Sequence, residues 1–349
     1  MVRKPRPRAL KRREFFQYSA AVAGTVSLSG WLASCSSDEQ HGASLDSDES
    51  LLPPATNLRN WSMITDNADF FRVDVAAPEQ AIDTTTWSLN VTGLIDHPEI
   101  LGYDQLRALP AVEQTTTLVC IGNPVGGNAI GTARWKGVAF SYLLPRWGVQ
   151  PDAYDIVARD SGSYSDSIPV AHLQSHFAML AYEMNGVPLP HFHGAPLRII
   201  VPGIYGIKNV KWLAGLEFVA SDYQGYWQQV GWTDTAFVRT LAKIMNVPDD
   251  YQMAPGILPV NGVAYAGLRG VQRVEISADG GETWIDADLD PPISPYAWLR
   301  FEKAFVMDTP GEYQLRVRAT DGDGVLQQEV PIDTLAGSEG WHSVSVEVL

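Results

Sequence analysis

The last third of the chain is a succession of short alternating segments, and no other feature restricts the fold as tightly. "GVQRVEIS" at 270–277, "ADGGETW" at 278–284, "AWLRFEKAFV" at 297–306, "GEYQLRVRATDGDG" at 311–324 and "HSVSVEVL" at 342–349 all read as strand-like, with turn formers at Asp279-Gly280-Gly281 and Asp321-Gly322. A side-chain period of two, broken by turns roughly every 8–12 residues, suits two sheets packed face to face. The sequence therefore predicts a β-sandwich over 256–349.

Upstream, from Trp61 to about Val247, short strands and short helices alternate. "TWSLNVTGL" (86–94), "TTTLVC" (115–120), "APLRIIVPG" (195–203) and "WLAGLEFVA" (212–220) read as strands. "YDQLRAL" (103–109), stopped by Pro110, and "VAFSYLLPRW" (138–147) read as helices. This predicts an α+β domain over 61–250, with the Pro- and Gly-containing stretch Asn246–Gly256 as the break before the sandwich. At 349 residues, 45% of them apolar, the chain is long enough for two separate cores.

The N-terminus reads as an address. "KRREFFQ" at 11–17 precedes an uncharged run, Tyr18–Cys35, that is shorter than the roughly 20 residues of a membrane-spanning helix. It resembles a twin-arginine export signal, with Arg12-Arg13 followed by Phe15 and Phe16. Leu32-Ala33-Ser34-Cys35 resembles a lipobox, which implies cleavage after residue 34 and a lipid on Cys35; an uncleaved anchor helix is the alternative. Residues 35–60 then form a polar, acidic tether. Either reading puts the body of the protein at the outer face of the cytoplasmic membrane. The twin-arginine route carries folded proteins, so that resemblance implies folding, and cofactor insertion, before export.

Seven of the 25 basic residues fall before residue 14, leaving 18 against 39 acidic groups beyond residue 34. Such a surface repels phosphate backbones, so nucleic acid is excluded as a partner. The chain has two cysteines, and if Cys35 carries lipid then Cys120 has no disulfide partner. Cys120 ends a β-branched stretch and enters the turn "IGNPVGGN" (121–128), so its thiol either holds a metal or fills a core.

A second dense patch, "HFHGAPLRIIVPGIYGIKNVKW" at 191–212, gathers His193, Arg198, Lys208 and Lys211 among Gly194, Gly203 and Gly206. Hydrogen-bonding and cationic side chains beside glycines that admit close backbone approach suit a buried anion such as a phosphate. His191 and His193 alternate as on a strand face, and His172 and His176 are spaced as on a helix. Neither pair has a third ligand nearby in sequence, so a zinc or copper site is set aside.

Together these segments resemble the sulfite oxidase family of molybdopterin enzymes, from about Ile64 to the end. "ITDNADFFRVD" (64–74) resembles the opening of its core domain, and "LVCIGN" (118–123) with "IGTARWKGV" (130–138) resembles its metal-cysteine segment. "LAYEMNGVPLPHFHGAPLRIIVPGIYGIKNVKW" (180–212) resembles its pterin-binding segment, and "RVEISADGGETW" (273–284) with "YQLRVRATDGDG" (313–324) its immunoglobulin-like, dimerisation-type domain. The resemblance implies a molybdenum-molybdopterin cofactor with Cys120 as metal ligand, a role for which a soft thiolate is chemically apt. It implies pterin contacts at Arg72, Asp160, His193, Arg198, Val210 and Lys211.

Two departures follow. Where sulfite oxidases carry two oxyanion-binding arginines after their "CxGN" segment, this chain has Pro124 and Val125. Where they carry a tyrosine five residues after the tryptophan of a "WQ" pair, it has Trp232. Asn128, Arg134 and Trp135 remain as expected lining, with Arg134 and Trp232 as catalytic candidates beside Cys120. The reading is an oxidoreductase performing two-electron oxygen-atom transfer on a small molecule. The alternatives are an S-oxide or N-oxide reductase of the same family and a non-catalytic surface lipoprotein scaffold. No haem-attachment motif is present, so the expected electron partner is a separate cytochrome or quinone-linked protein, and a homodimer is expected from the last domain.

Overall fold

The computed structural model describes residues 8–10 and 62–349, apart from positions 76, 176, 332 and 333. The expected leader, Cys35 and the tether lie outside the described residues except for Arg8–Leu10, a strand paired with Ala304–Val306.

The first domain is built on two five-stranded sheets. In one, the order is Arg198–Ile200, Met179–Met184, Ile130–Ala139, Val112–Val119, with Val187–Pro188 folded back on Met179–Met184. In the other it is Glu99–Gly102, Ser88–Gly93, Leu213–Val219, Asp155–Asp160, Ser165–Pro169, antiparallel except where Ser88–Gly93 meets Leu213–Val219. Leu89 and Val91 are wholly buried while Ser88 and Asn90 face solvent, the period of two that a half-buried strand imposes.

The described helices are short: Tyr103–Arg107, Phe140–Trp147 and Val170–Ser175. The domain is mostly β, which corrects the expected α+β balance. "VAFSYLLPRW" shows why. Its first two residues finish a strand, and the helix that follows runs only from Phe140 to Trp147 before Gly148, at φ 63°, caps it in the left-handed region.

The second domain is a pair of five-stranded sheets over a core that includes Val260, Phe301 and Phe305 from one and Ile276, Leu315 and Val317 from the other. The stretch Asn246–Gly256 is not a boundary. Leu241–Ile244 already pairs with Gly262–Tyr265, and Tyr251–Met253 pairs with Val346–Val348 of the opposite sheet. Its Pro and Gly mark a crossing between two sheets of one sandwich, which in sequence looks the same as a linker. "ADGGETW" is likewise a loop: the Asp279 carboxylate accepts from Ser277 Oγ (2.8 Å), Thr283 N (2.9 Å) and Thr283 Oγ1 (2.6 Å), and the next strand is Ile285–Asp286.

The domains interlock at the strand leading to Cys120. Thr117 N donates to Tyr296 O (3.0 Å), Thr117 Oγ1 accepts from Trp298 N (2.8 Å), and Trp298 Nε1 donates to Met63 O (3.0 Å). Val263, Tyr265 and Trp298 join the first domain's main core.

Candidate cofactor site

A cavity of about 390 Å³ opens beside that strand. Cys120 stands one residue past its end, in a loop closed by three hydrogen bonds: Cys120 N to Ala129 O (2.9 Å), Asn123 N to Cys120 O (3.0 Å), and Ala129 N to Asn123 Oδ1 (2.8 Å). The thiol is free and partly exposed, on the cavity wall. Burial pushes its pKa up, partly offset by the Gly122 N–H, and no cation contributes. A thiol so placed becomes a thiolate readily only when a metal takes the charge.

Around Arg198 the wall is built for an anion. Its guanidinium is fully buried against the Trp135 ring, 5.0 Å from the centroid, and donates to His193 O (2.9 Å) and Asn209 O (3.3 Å). Its Nε has no partner among the described residues, and burial holds its pKa down to about 9. A buried guanidinium with an unpaired N–H and no carboxylate partner among the described residues leaves a charge that a bound anion would compensate.

His193 Nε2 donates to Asn67 O (2.7 Å), leaving Nδ1 as an acceptor, and burial with the charges of Arg198 and Arg72 lowers its pKa. Lys211 pairs with Asp74, and burial with Arg72's charge holds it down to about 8. Val210 and Asp160 also line the cavity, although Asp160 Oδ1 is committed to the N–H groups of Gly162 (2.8 Å) and Tyr164 (2.9 Å) in its own hairpin. Arg72 is exposed and does not line the cavity, although its neighbours Phe71 and Val73 do; its guanidinium lies 4.6 Å over the Phe192 ring.

Trp232 is on the wall, with Trp227 at 5.9 Å between ring centroids. Arg134 is not. It is solvent-exposed while Ala133 and Trp135 are fully buried, so strand alternation turns it away. Asn128 is also elsewhere, held by Lys243 of the second domain, and Trp135 lies beneath Arg198. Pro124 and Val125 face the second domain, where Val125 packs near Gly340. The wall beside Cys120 is therefore Ile121, Gly122, Ala129 and the two tryptophans.

Sequence reasoning passed over Phe70, Phe71, Tyr164 and Trp227, all on the wall. The Phe70-Phe71 pair and the Tyr226-Trp227 pair were visible signals, but aromatic pairs also fill ordinary cores. Lys208, read with the phosphate-binding cations, is instead buried away from the wall. His191 and His193 lie in a 3₁₀ turn rather than on a strand, with His191 Nε2 donating to Pro78 O (2.8 Å). His172 stands 5.9 Å from the Phe237 ring, and His176 lies outside the described residues. Among the described residues no cluster of three His, Cys, Asp or Glu side chains could hold a metal.

This fold and site define a two-domain molybdopterin-binding protein. The profile of the oxidoreductase molybdopterin binding domain matches residues 75–227, and that of the Mo-co oxidoreductase dimerisation domain matches 242–349. The sulfite oxidase of Gallus gallus is 32% identical over 343 residues, covering 83% of this chain and 74% of its own. The mitochondrial sulfite oxidase of Rattus norvegicus is 32% identical and covers 85% of this chain, which spans 64% of the rat protein's length. The sulfane dehydrogenase SoxCD structure from Paracoccus pantotrophus has the same fold, with a TM-score of 0.67 at 22% identity over 77% of this chain and 79% of that one. The chain belongs to the sulfite oxidase family, whose cofactor is molybdenum-molybdopterin.

Proposed function

We propose that the protein is a molybdenum-molybdopterin oxidoreductase that carries out a two-electron oxygen-atom transfer on a small uncharged substrate. The bound cofactor supplies the electron change and the oxygen transfer. Cys120 holds the metal, Arg198, His193 and Lys211 hold the anionic end of the pterin, and Trp227, Trp232 and Ile121 exclude water beside the thiolate. The buried guanidinium of Arg198 on the cavity wall, with its Nε unpaired, is the observation that carries the cofactor assignment. It also argues against a scaffold that has lost its cofactor, in which a buried unpaired cation would be a pure cost.

The apolar wall beside Cys120 favours a second reading, reduction of an S-oxide or N-oxide. Sulfite would need charge-assisted donors there, and none acts on that thiol. We read the last domain as immunoglobulin-like and as the pairing surface of a homodimer, which sedimentation of the untethered chain would test. In this reading electrons pass to or from a separate carrier protein, and the resemblance of Arg12-Arg13 to an export signal and of Cys35 to a lipidation site supports a position on the outer face of the cytoplasmic membrane.

Molybdenum analysis and pterin fluorescence on wild type and Cys120→Ser, both exported by the native route, test the assignment. About one molybdenum per chain in the wild type, lost or spectroscopically altered in the variant, is expected. Metal-free and pterin-free wild type from a cofactor-making cell would refute it. A panel of sulfite with ferricyanide, and of dimethyl sulfoxide and trimethylamine N-oxide with reduced viologen, then separates the two directions.

A further inference from the structure

Lys208 lies between Arg198 and Lys211 in sequence, yet the cofactor reading does not use it. It closes the short turn Gly206–Lys208, and its Nζ donates to Asp166 Oδ1 (3.0 Å), Ser167 O (2.8 Å) and Asp234 Oδ1 (2.8 Å). Three N–H groups thus meet three acceptors. Lys208 and Asp166 are wholly buried, and the Asp234 side chain is 30% exposed. Asp166 also accepts from Ser167 N (2.8 Å) and Tyr164 Oη (3.2 Å), with Gln228 Nε2 at 3.4 Å. Asp155 is buried in the same neighbourhood, where its Oδ2 accepts from Tyr223 N (2.8 Å).

Gln228 directly follows Trp227 and Asp234 stands two residues after Trp232, so these two side chains tie down both ends of the turn between the cavity tryptophans. That loop is folded on itself, with Trp232 N donating to Trp227 O (3.2 Å) and Gly231 in the left-handed region at φ 99°. Gly225 seats its start on the Ser165–Asp166 backbone, where a Cβ would stand 2.8 Å from Asp166 Cα. The outer side of the loop has little apolar cover, since Tyr226 is 43% exposed and Val230 61%.

We infer that the Asp166–Lys208 pair is an anchor that positions Trp227 and Trp232, through Gln228 and Asp234, and so determines which substrates fit beside Cys120. Burying an ion pair costs several kcal/mol of desolvation, roughly what its attraction returns, so its contribution is direction rather than stability. A lysine with three fixed acceptors admits one loop position, whereas the thin packing on the outer side would admit several. The specificity half of this inference rests on the proposed function; the positional half does not.

The test uses molybdenum-loaded protein labelled with 5-fluorotryptophan, its ¹⁹F resonances assigned by Trp227→Phe and Trp232→Phe. In Asp234→Ala the Trp227 and Trp232 signals should shift and broaden while those of the remaining tryptophans stay. Asp234→Asn, which keeps an acceptor for Lys208, should restore them. Molybdenum content should be unchanged. For an oxide substrate such as dimethyl sulfoxide, KM should rise about tenfold in Asp234→Ala with kcat nearly constant. If wild type turns over no member of the panel, the activity reading fails while the two resonances still decide the anchor. Unmoved Trp227 and Trp232 signals in Asp234→Ala would overturn it.

Discussion

His342 sets an acid limit on the contact between the two domains. Its ring packs across Gly126 in the Cys120 loop, and its Nδ1 accepts the Ile244 N–H at 3.1 Å, so Nδ1 must be unprotonated. Burial, aided by the charge of Lys243, pushes its pKa from the ordinary 6.5 down to about 4. The unfolded chain takes up this proton near pH 6.5, and the folded chain resists until near pH 4. Stability from this residue is therefore complete above pH 6.5 and is lost as pH falls toward 4. The full interval corresponds to about 3 kcal/mol, of which about 2 kcal/mol is gone by pH 5. Urea unfolding at pH 7.5 and pH 5 would measure the loss in wild type and in His342→Asn, whose amide can accept from Ile244 N without titrating. Asp155, Asp160 and Asp166, raised by burial, contribute in the opposite direction as pH falls, and His193, lowered by burial, in the same one. These terms are common to both proteins. Wild type should lose about 2 kcal/mol more than the variant, and equal losses would refute the assignment.

Gly137→Ala should be among the more damaging single-methyl additions. A Cβ there would collide with the Leu180 carbonyl at the irregular step between two central strands, and a loss of about 3 kcal/mol in urea unfolding is expected. Cys35→Ser should move the protein from the detergent-extracted membrane fraction to the soluble exported fraction, and an unchanged distribution would remove the lipid anchor from the reading.

The sandwich was legible because alternation survives in the text of its long strands, as in Gly311–Asp321, where each buried residue from Tyr313 to Asp321 is followed by a less buried one. That Cys120, His193, Arg198 and Lys211 would line one cavity was legible for a different reason, since they occur in the order and spacing of a family pattern. Arg134 was misplaced because spacing does not reveal which face of a strand a side chain takes; only the buried neighbours Ala133 and Trp135 do that. Lys208 was misread because a cation near a phosphate-binding segment looks the same whether its partner is a ligand or Asp166, which lies 42 residues earlier in the chain. The domain boundary was misplaced because a crossing between sheets and a linker use the same turn residues.

The braces on the Cys120 strand come from Tyr296, Trp298 and His342, all late in the chain. During synthesis Cys120 emerges more than two hundred residues before the last of them, so these braces on its strand and loop are complete only once the C-terminal strand has been made. A product cut short before His342 lacks that contact, which makes the interlock a check on the completeness of the chain.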